Sequence, residues 1–97
     1  MGGNIPALIG KKIVKFQFAL TQSFPSLPLG ENKITYRLKE NYNYIIPISV
    51  NWKNKVNKND YIGFDLETNN GQDFTVVYNT QTENMSYLVS YIYVKTE

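Results

Sequence analysis

Two carboxylates, Asp65 and Glu67, stand two residues apart and would share one face of a β-strand. Paired carboxylates flanking a cleft are what glycoside hydrolysis requires. The chain has no His and no Cys, so the commonest general base, zinc ligand and thiolate nucleophile are missing. Solvated side chains on the outside of a strand explain the same spacing. We therefore expect a protein that is not an enzyme and that uses no cofactor.

Oxygen-bearing side chains near the same strand raise the question of a calcium site. Asp65, Glu67 and Asp73 form one group of such residues, and 57–60 contains another. Neither group has the alternation, the central Gly and the terminal Glu of an EF-hand loop. The sequence therefore predicts no metal site.

Basic and aromatic side chains could support another kind of chemistry, the binding of nucleic acid or carbohydrate. Proteins that bind single strands combine a basic groove with aromatic rings that stack on bases. The chain carries these residue types at Lys33, Arg37, Lys39, Tyr42, Trp52, Lys53, Lys55 and Lys58. Trp52 and surface tyrosines would also suit a sugar ring. Both alternatives stay open, because the sequence does not show whether Tyr42 and Trp52 face the core or the solvent.

Charge is divided unevenly along the chain. Residues 11–58 contain nine basic and two acidic side chains, whereas residues 59–97 contain one basic and six acidic ones. One interpretation is that the two halves lie side by side and neutralise each other. The other is that a basic face of one subunit meets an acidic face of the next, which predicts an oligomer that salt weakens.

Alternation of apolar and polar residues predicts three strands in the first half of the chain. The first, residues 12–20, directs Val14, Phe16, Phe18 and Leu20 inward. The second, residues 32–39, directs Ile34, Tyr36 and Leu38 inward and presents Lys33, Thr35, Arg37 and Lys39 to solvent. A short turn at 40–41 predicts that the second and third strands pair as a hairpin.

The third strand, residues 42–52, has the longest alternating pattern. Its inward residues are predicted to be Tyr42, Tyr44, Ile46, Ile48, Val50 and Trp52. Pro47 lacks a backbone N–H, which predicts a bulge, a bend or an edge position within this strand.

Three further strands are predicted in the second half, at 61–67, 73–80 and from 85 or 87 to 95. The fourth directs Ile62, Phe64 and Leu66 inward, and the turn Asn69-Asn70-Gly71 follows it. The fifth carries Phe74, Val76 and Tyr78 on one face. The last is apolar on both faces, with Leu88, Ile92 and Val94 opposite Tyr87, Val89, Tyr91 and Tyr93. Such a strand is either central in a covered sheet or part of an interface.

The loop at 21–30 contains two prolines and three large apolar residues, Phe24, Leu27 and Leu29. Either these side chains plug one open end of the fold, or the loop presents them to another chain. The apolar fragment 5–9 is too short for a secretion signal or a membrane span. The sequence therefore predicts a soluble protein without a membrane partner.

These patterns predict a small antiparallel β-sandwich or jelly-roll-like fold of about six or seven strands. Residues 12–97 would form a single β domain, preceded by a flexible N-terminal arm, residues 1–11. The predicted function is that of a non-catalytic structural or interaction protein, self-assembling as a homo-oligomer or binding another protein, as virion and appendage proteins do. The predicted protein interface consists of Phe24, Leu27, Leu29, Tyr87, Val89, Tyr91 and Tyr93.

Overall fold

The residues that the structure describes contain six β-strands, which confirms the predicted all-β fold class. The computed structural model describes residues 10–24, 26–54, 57–68 and 70–97, and most of the predicted N-terminal arm lies outside these ranges. The strands are β1 (Ile13–Gln22), β2 (Gly30–Arg37), β3 (Tyr44–Trp52), β4 (Tyr61–Phe64), β5 (Asp73–Thr80) and β6 (Tyr87–Thr96). A 3-10 turn at Leu66–Thr68 follows β4. The described ranges contain no α-helix.

The strands form two antiparallel sheets of three strands each. Sheet A has the order β1-β6-β3, and sheet B has the order β2-β5-β4. The predicted hairpin between the second and third strands is therefore wrong, because the chain passes from sheet B to sheet A between them. Tyr42 N–H donates to the Lys39 carbonyl in this connection, at 3.3 Å, and Asn41 takes a φ of 71°. Placing β2 and β3 in different sheets lets an apolar side of each face one shared core.

Aromatic rings from both sheets meet in that core. Phe74 of β5 stacks on Tyr36 of β2, with 5.0 Å between the ring centroids. The rings of Phe64 in β4 and Tyr91 in β6 also contact the Phe74 ring, with centroid distances of 5.6 and 5.3 Å. The predicted inward face of β5 is confirmed, since Phe74, Val76 and Tyr78 are fully buried. The inner space between two three-stranded sheets is therefore filled largely by rings.

A bulge divides β3 into two parts with opposite alternation. The cross-strand register to β6 shifts between Pro47 and Ser49, which confirms the bulge as one of the features predicted at Pro47. Before the bulge the buried residues are Ile45 and Pro47, and Ile48 is 40% exposed. The predicted inward direction of Ile46 and Ile48 is therefore wrong. One extra residue reverses the alternation, so only Val50 and Trp52 pack against the core as predicted.

The orientation predicted for β1 is also wrong. Val14, Phe16, Phe18 and Leu20 are 55%, 68%, 57% and 63% exposed. The core side of β1 carries smaller residues instead: Ala19 lies opposite Tyr91 of β6, and the Thr21 hydroxyl is 3.0 Å from the Tyr91 hydroxyl.

Strand β4 is shorter than the sequence pattern indicates. It ends at Phe64, and the 3-10 turn begins at Leu66, which is exposed. The predicted inward direction of Leu66 is therefore wrong, because the alternation of a strand no longer applies there.

Opposite charges meet within one subunit. Lys33 lies 3.7 Å from Asp65, and Lys12 lies 3.3 Å from Glu97. Arg37 stands directly across from Asp73 in the β2-β5 pair. The basic first half and the acidic second half are thus side by side. This arrangement matches the first interpretation of the charge division.

Candidate protein interface

The outer side of sheet A is a continuous apolar surface, which we call the apolar face. Because Tyr87, Val89 and Tyr91 of β6 belong to the core, the alternate residues of that strand point outward. Cross-strand pairing then places side chains of β1 and β3 on either side of them. The apolar face consists of Phe16, Phe18 and Leu20 from β1, Leu88 and Ile92 from β6, and Tyr44, Ile46 and Ile48 from β3. Val94 of β6 lies on the same side of the sheet but is only 3% exposed.

No residue of the apolar face is charged. Two serines lie within it, and their hydroxyl oxygens, Ser49 Oγ and Ser90 Oγ, are 2.7 Å apart and hydrogen-bonded to each other. Gln22 and Asn51 lie at one end, each opposite Leu88. The polar groups inside the face are thus paired with each other, and the surface presented to solvent is mainly hydrocarbon.

The β1 side chains make this face unusual. Phe16, Phe18 and Leu20 are each more than half exposed, and they follow one another along a single strand. Isolated exposed apolar residues are common on soluble proteins, whereas contiguous apolar patches mark interaction sites. The apolar face is therefore the strongest candidate for contact with another molecule.

Three of the residues predicted as interface lie in the core. Tyr87, Val89 and Tyr91 are buried between the two sheets, and Tyr93 is partly buried against the ring of Tyr91. Strand β6 has two apolar faces as predicted, but the tyrosine face is the one that the chain itself covers. The apolar pattern does not distinguish the two faces, because both would suit either environment.

The three apolar residues of the predicted interface loop lie in different environments. Leu27 packs against the core, and its N–H donates to the Met85 carbonyl at 3.3 Å. Phe24 is 88% exposed and Leu29 is also exposed. Leu27 therefore closes part of one end of the fold, while Phe24 and Leu29 remain on the surface.

A cleft of about 240 Å³ lies between β1 and β2 beside this loop. It is lined by Thr21, Gln22, Ser23, Phe24, Leu27, Ile34, Tyr36 and Tyr87. The hydroxyls of Tyr36 and Tyr87 are hydrogen-bonded to each other at 2.8 Å, and burial raises the pKa of both phenols. Both hydroxyls are therefore neutral and paired, so the cleft offers apolar contact and little polar recognition.

The residues predicted to contact nucleic acid or sugar are distributed over both ends of the fold. Lys39 and Tyr42 lie at one end, where Lys39 Nζ is 5.8 Å from the Tyr42 ring centroid and Lys15 Nζ is 5.1 Å from it. Trp52 and Lys53 lie at the opposite end of β3, roughly 30 Å away along a nine-residue strand. These side chains do not form one groove.

The other predicted contacts are engaged within the chain or lie apart. Trp52 is partly buried and lies edge-on to Tyr78, with 5.8 Å between the ring centroids. Lys53 Nζ donates to Gln22 Oε1 at 2.8 Å. Lys33 and Arg37 lie on the outer side of sheet B near carboxylates. Lys58 is exposed, and Lys55 lies outside the described residues.

The carboxylates Asp65 and Glu67 do not share a strand face. They follow the end of β4, and Asp65 Oδ1 accepts a hydrogen bond from the Glu67 N–H at 3.1 Å. Within residues 10–24, 26–54, 57–68 and 70–97, no three His, Cys, Asp or Glu side chains come together in a way that could hold a metal ion. The same part of the chain contains no helix long and apolar enough to cross a membrane.

Comparison with protein-family models, with curated proteins and with solved structures finds no match to this chain. The candidate interface therefore rests on the residues and their geometry. Sequence reasoning missed the outward direction of Phe16, Phe18 and Leu20. The small size of Ala19 among the alternate residues of β1 was one available signal, because it leaves space for a larger neighbour.

Proposed function

We propose that this protein is a non-catalytic assembly protein whose copies associate through the apolar face of sheet A. The observation that carries this proposal is the row of Phe16, Phe18 and Leu20, exposed by 68%, 57% and 63% on a face without charge. Removing a large apolar side chain from water contributes about 1.5 to 3 kcal/mol. A row of three supplies a substantial part of the free energy of association.

A second copy of the same chain fits this surface best. The face is uncharged and broad, so it offers little to select a charged partner, whereas two such faces can pack against each other as the sheets of a sandwich do. Assemblies of the virion or appendage kind, built from many copies of a small β domain, are the setting we propose. Because the contact is apolar, association should persist at high salt, unlike the charge-driven association considered from the sequence.

Light scattering coupled to size exclusion tests the proposal on the full chain. The test variant carries Phe16→Ser with Leu20→Ser, and the matched control carries Lys33→Ser with Arg37→Ser on the exposed side of sheet B. We expect the unmodified chain and the control to be oligomeric at low and high salt. The test variant should associate at least about a hundredfold more weakly. Circular dichroism and Trp52 fluorescence report whether each variant is folded.

Several outcomes would contradict the proposal. An unmodified chain that stays monomeric at high protein concentration in both buffers would remove self-association. An oligomer that dissociates as salt rises would point to charged contacts instead of the apolar face. A monomer that binds neutral phospholipid vesicles would assign the face to a lipid surface.

A further inference from the structure

Among the described strands, four lie at sheet edges, and three of these carry features that prevent pairing with another strand. Strand β3 contains Pro47 and a bulge. Strand β4 has only four residues, one of them Gly63. Strand β2 presents exposed charges at Glu31, Lys33 and Arg37. Short length, proline, bulges and charge are the usual means by which proteins protect sheet edges.

Strand β1 has few of these features. It spans Ile13–Gln22, ten residues without proline, and its only charged residue is Lys15. A bulge between Ile13 and Lys15 affects its first residues only. From Phe16 to Gln22 the strand is regular, apolar on its outer side and at the border of sheet A. An edge of this kind is a template for a further strand.

The hydrogen bonds to β6 show which backbone groups of β1 face outward from the sheet. Ser23 N–H donates to the Tyr87 carbonyl at 3.0 Å, directly beyond the paired residues Gln22 and Leu88. In an antiparallel ladder the residues that bond to one neighbour alternate with those that do not. Backbone groups of odd-numbered residues therefore face β6. Those of Phe16, Phe18, Leu20 and Gln22 face the open edge.

We infer that β1 pairs antiparallel with β1 of a second copy, around a twofold axis at Phe18. This inference rests on the proposed self-association and specifies how two subunits meet. Antiparallel pairing must join even-numbered residues to even-numbered ones, since only these have backbone groups at the open edge. With Phe18 on the axis, Phe16 lies opposite Leu20 of the partner subunit, and Lys15 lies opposite Thr21 of the partner subunit.

This register uses the whole regular part of the strand and avoids charge repulsion. It pairs residues 15–21, from the end of the bulge almost to the end of β1. The two Lys15 side chains are displaced by six residues, about 20 Å along the strands. That distance exceeds the Debye length of about 8 Å at physiological ionic strength, so their repulsion is screened.

Edge pairing also gives the apolar face the size that a stable contact needs. Three strands about 4.8 Å apart and about nine residues long cover a footprint of roughly 430 Å². A standard interface buries about 800 Å² on each partner, roughly twice this footprint. Two subunits joined through β1 form one six-stranded sheet with a continuous apolar face of about that size. Two such pairs can then stack face to face as a tetramer.

Single cysteines test the register, because the chain has no Cys of its own. Under mild oxidation with diamide, which takes up the two protons and two electrons of each new disulfide, Phe18→Cys should cross-link to a dimer. Phe16→Cys and Leu20→Cys should each cross-link poorly alone and efficiently when mixed. Phe24→Cys, in the exposed loop, gives the background from random collisions.

The cross-linking pattern decides between three outcomes. Cross-linking of Phe18→Cys at least about tenfold above the Phe24→Cys background, with the mixed-pair preference, supports the register. Equal cross-linking of Phe16→Cys, Leu20→Cys and Phe18→Cys overturns it, while an oligomer in light scattering would leave association through the face intact. Background cross-linking throughout, together with a monomeric unmodified chain, overturns both proposals.

A proline variant separates edge pairing from packing of the face. Phe18→Pro and Phe18→Ala both remove the ring, but only proline removes the N–H at the open edge, and neither removes a donor to β6. We expect Phe18→Ala to keep a weakened pair and Phe18→Pro to lose it. Equal oligomeric masses for the two variants, measured by light scattering, would overturn edge pairing. Circular dichroism verifies that both are folded, and the cysteine variants decide the question if Phe18→Pro is not.

Discussion

The outer sides of the two sheets differ sharply, although both sheets have three antiparallel strands and cover the same core. On sheet B the exposed residues of β2 are Glu31, Lys33, Thr35 and Arg37. On sheet A the corresponding edge strand exposes Phe16, Phe18 and Leu20. The outer side of sheet B is therefore polar and charged along β2, whereas that of sheet A is apolar along β1. The difference shows that an alternating strand can direct its apolar residues away from the core of its own chain.

The reason lies in what each edge strand meets inside the fold. Tyr36 of β2 stacks on Phe74, so the apolar side of β2 finds a partner within the core. The inner side of β1 places Ala19 opposite Tyr91 and Gln17 opposite Tyr93 of β6, and these two rings contact each other at 5.5 Å between centroids. The phenylalanines of β1 then remain outside. The same amino-acid type is therefore buried in the core on β5 and exposed on the surface on β1.

The largest effect is predicted when a phenylalanine in the core is truncated and compared with one on the apolar face. Phe74→Ala should lower the free energy of unfolding by about 3 to 5 kcal/mol, because it leaves a cavity among packed rings. Phe18→Ala should lower the monomer's free energy of unfolding by less than about 1 kcal/mol, since the ring is mostly in water. Urea unfolding of dilute protein, followed by Trp52 fluorescence, measures both.

Equal losses from the two substitutions would contradict the comparison. They would mean that Phe18 is covered in the folded monomer and that the apolar face is not available to a partner.

A smaller effect is expected from a carboxylate that links the segment before β4 to the end of β5. Asp60, just before β4, accepts hydrogen bonds from the Gln81 N–H at 3.0 Å and from the hydroxyls of Thr80 and Thr82, both at 2.9 Å. These bonds, led by that from Gln81, hold the pKa of the Asp60 carboxyl below its ordinary value. The stability of sheet B should therefore depend on the ionisation of the Asp60 carboxyl.

The sign of the pH dependence follows from that lowered pKa. A carboxyl with a lower pKa in the folded state stabilises the fold above its unfolded pKa, about 3.9, and loses this contribution as pH falls through its folded value. We expect Asp60→Asn to lower Tm at pH 7 and to reduce the loss of Tm between pH 5 and pH 2. Thermal unfolding across this range measures the effect, with exposed Glu31→Gln as the control. A Tm profile unchanged by Asp60→Asn would show that Asp60 does not stabilise sheet B.

The smallest effect is predicted on the solvated side of sheet B. Lys33→Gln removes the 3.7 Å contact with Asp65, in which the lysine side chain is 65% exposed and the aspartate side chain 18% exposed. Asp65 keeps its hydrogen bond from the Glu67 N–H. Exposed ion pairs contribute about 0 to 1 kcal/mol, so stability should change little. The oligomeric mass in light scattering should not change at all. A change of mass would show that sheet B also takes part in assembly and would weaken the contrast between the two faces.

Several features of the fold could be predicted from particular residues. The period-two pattern identified six strands, and the buried row of Phe74, Val76 and Tyr78 on β5 followed from it directly. Pro47 indicated the irregularity that the bulge in β3 provides. These predictions depend on local backbone geometry, which neighbouring residues control.

The failures share a different cause. The pairing of β2 with β5, the outward direction of Phe16 and Phe18, and the burial of Tyr87 all depend on which strands become neighbours. Tyr87, Val89 and Tyr91 of the predicted interface therefore lie in the core, although the strand was correctly recognised as apolar on both faces. Only Phe24 and Leu29 of the predicted set are on the surface as large exposed apolar residues.

By itself, the sequence determined that each strand has two unlike faces, because successive side chains of an extended chain point in opposite directions. It also determined the all-β class and the absence of His and Cys chemistry. Only the tertiary structure decided which apolar face is inside. Two three-stranded sheets enclose room for one layer of rings, and the tyrosines of β6 with Phe74 of β5 occupy that layer. The apolar side of β1 is left on the surface, where a second copy can cover it.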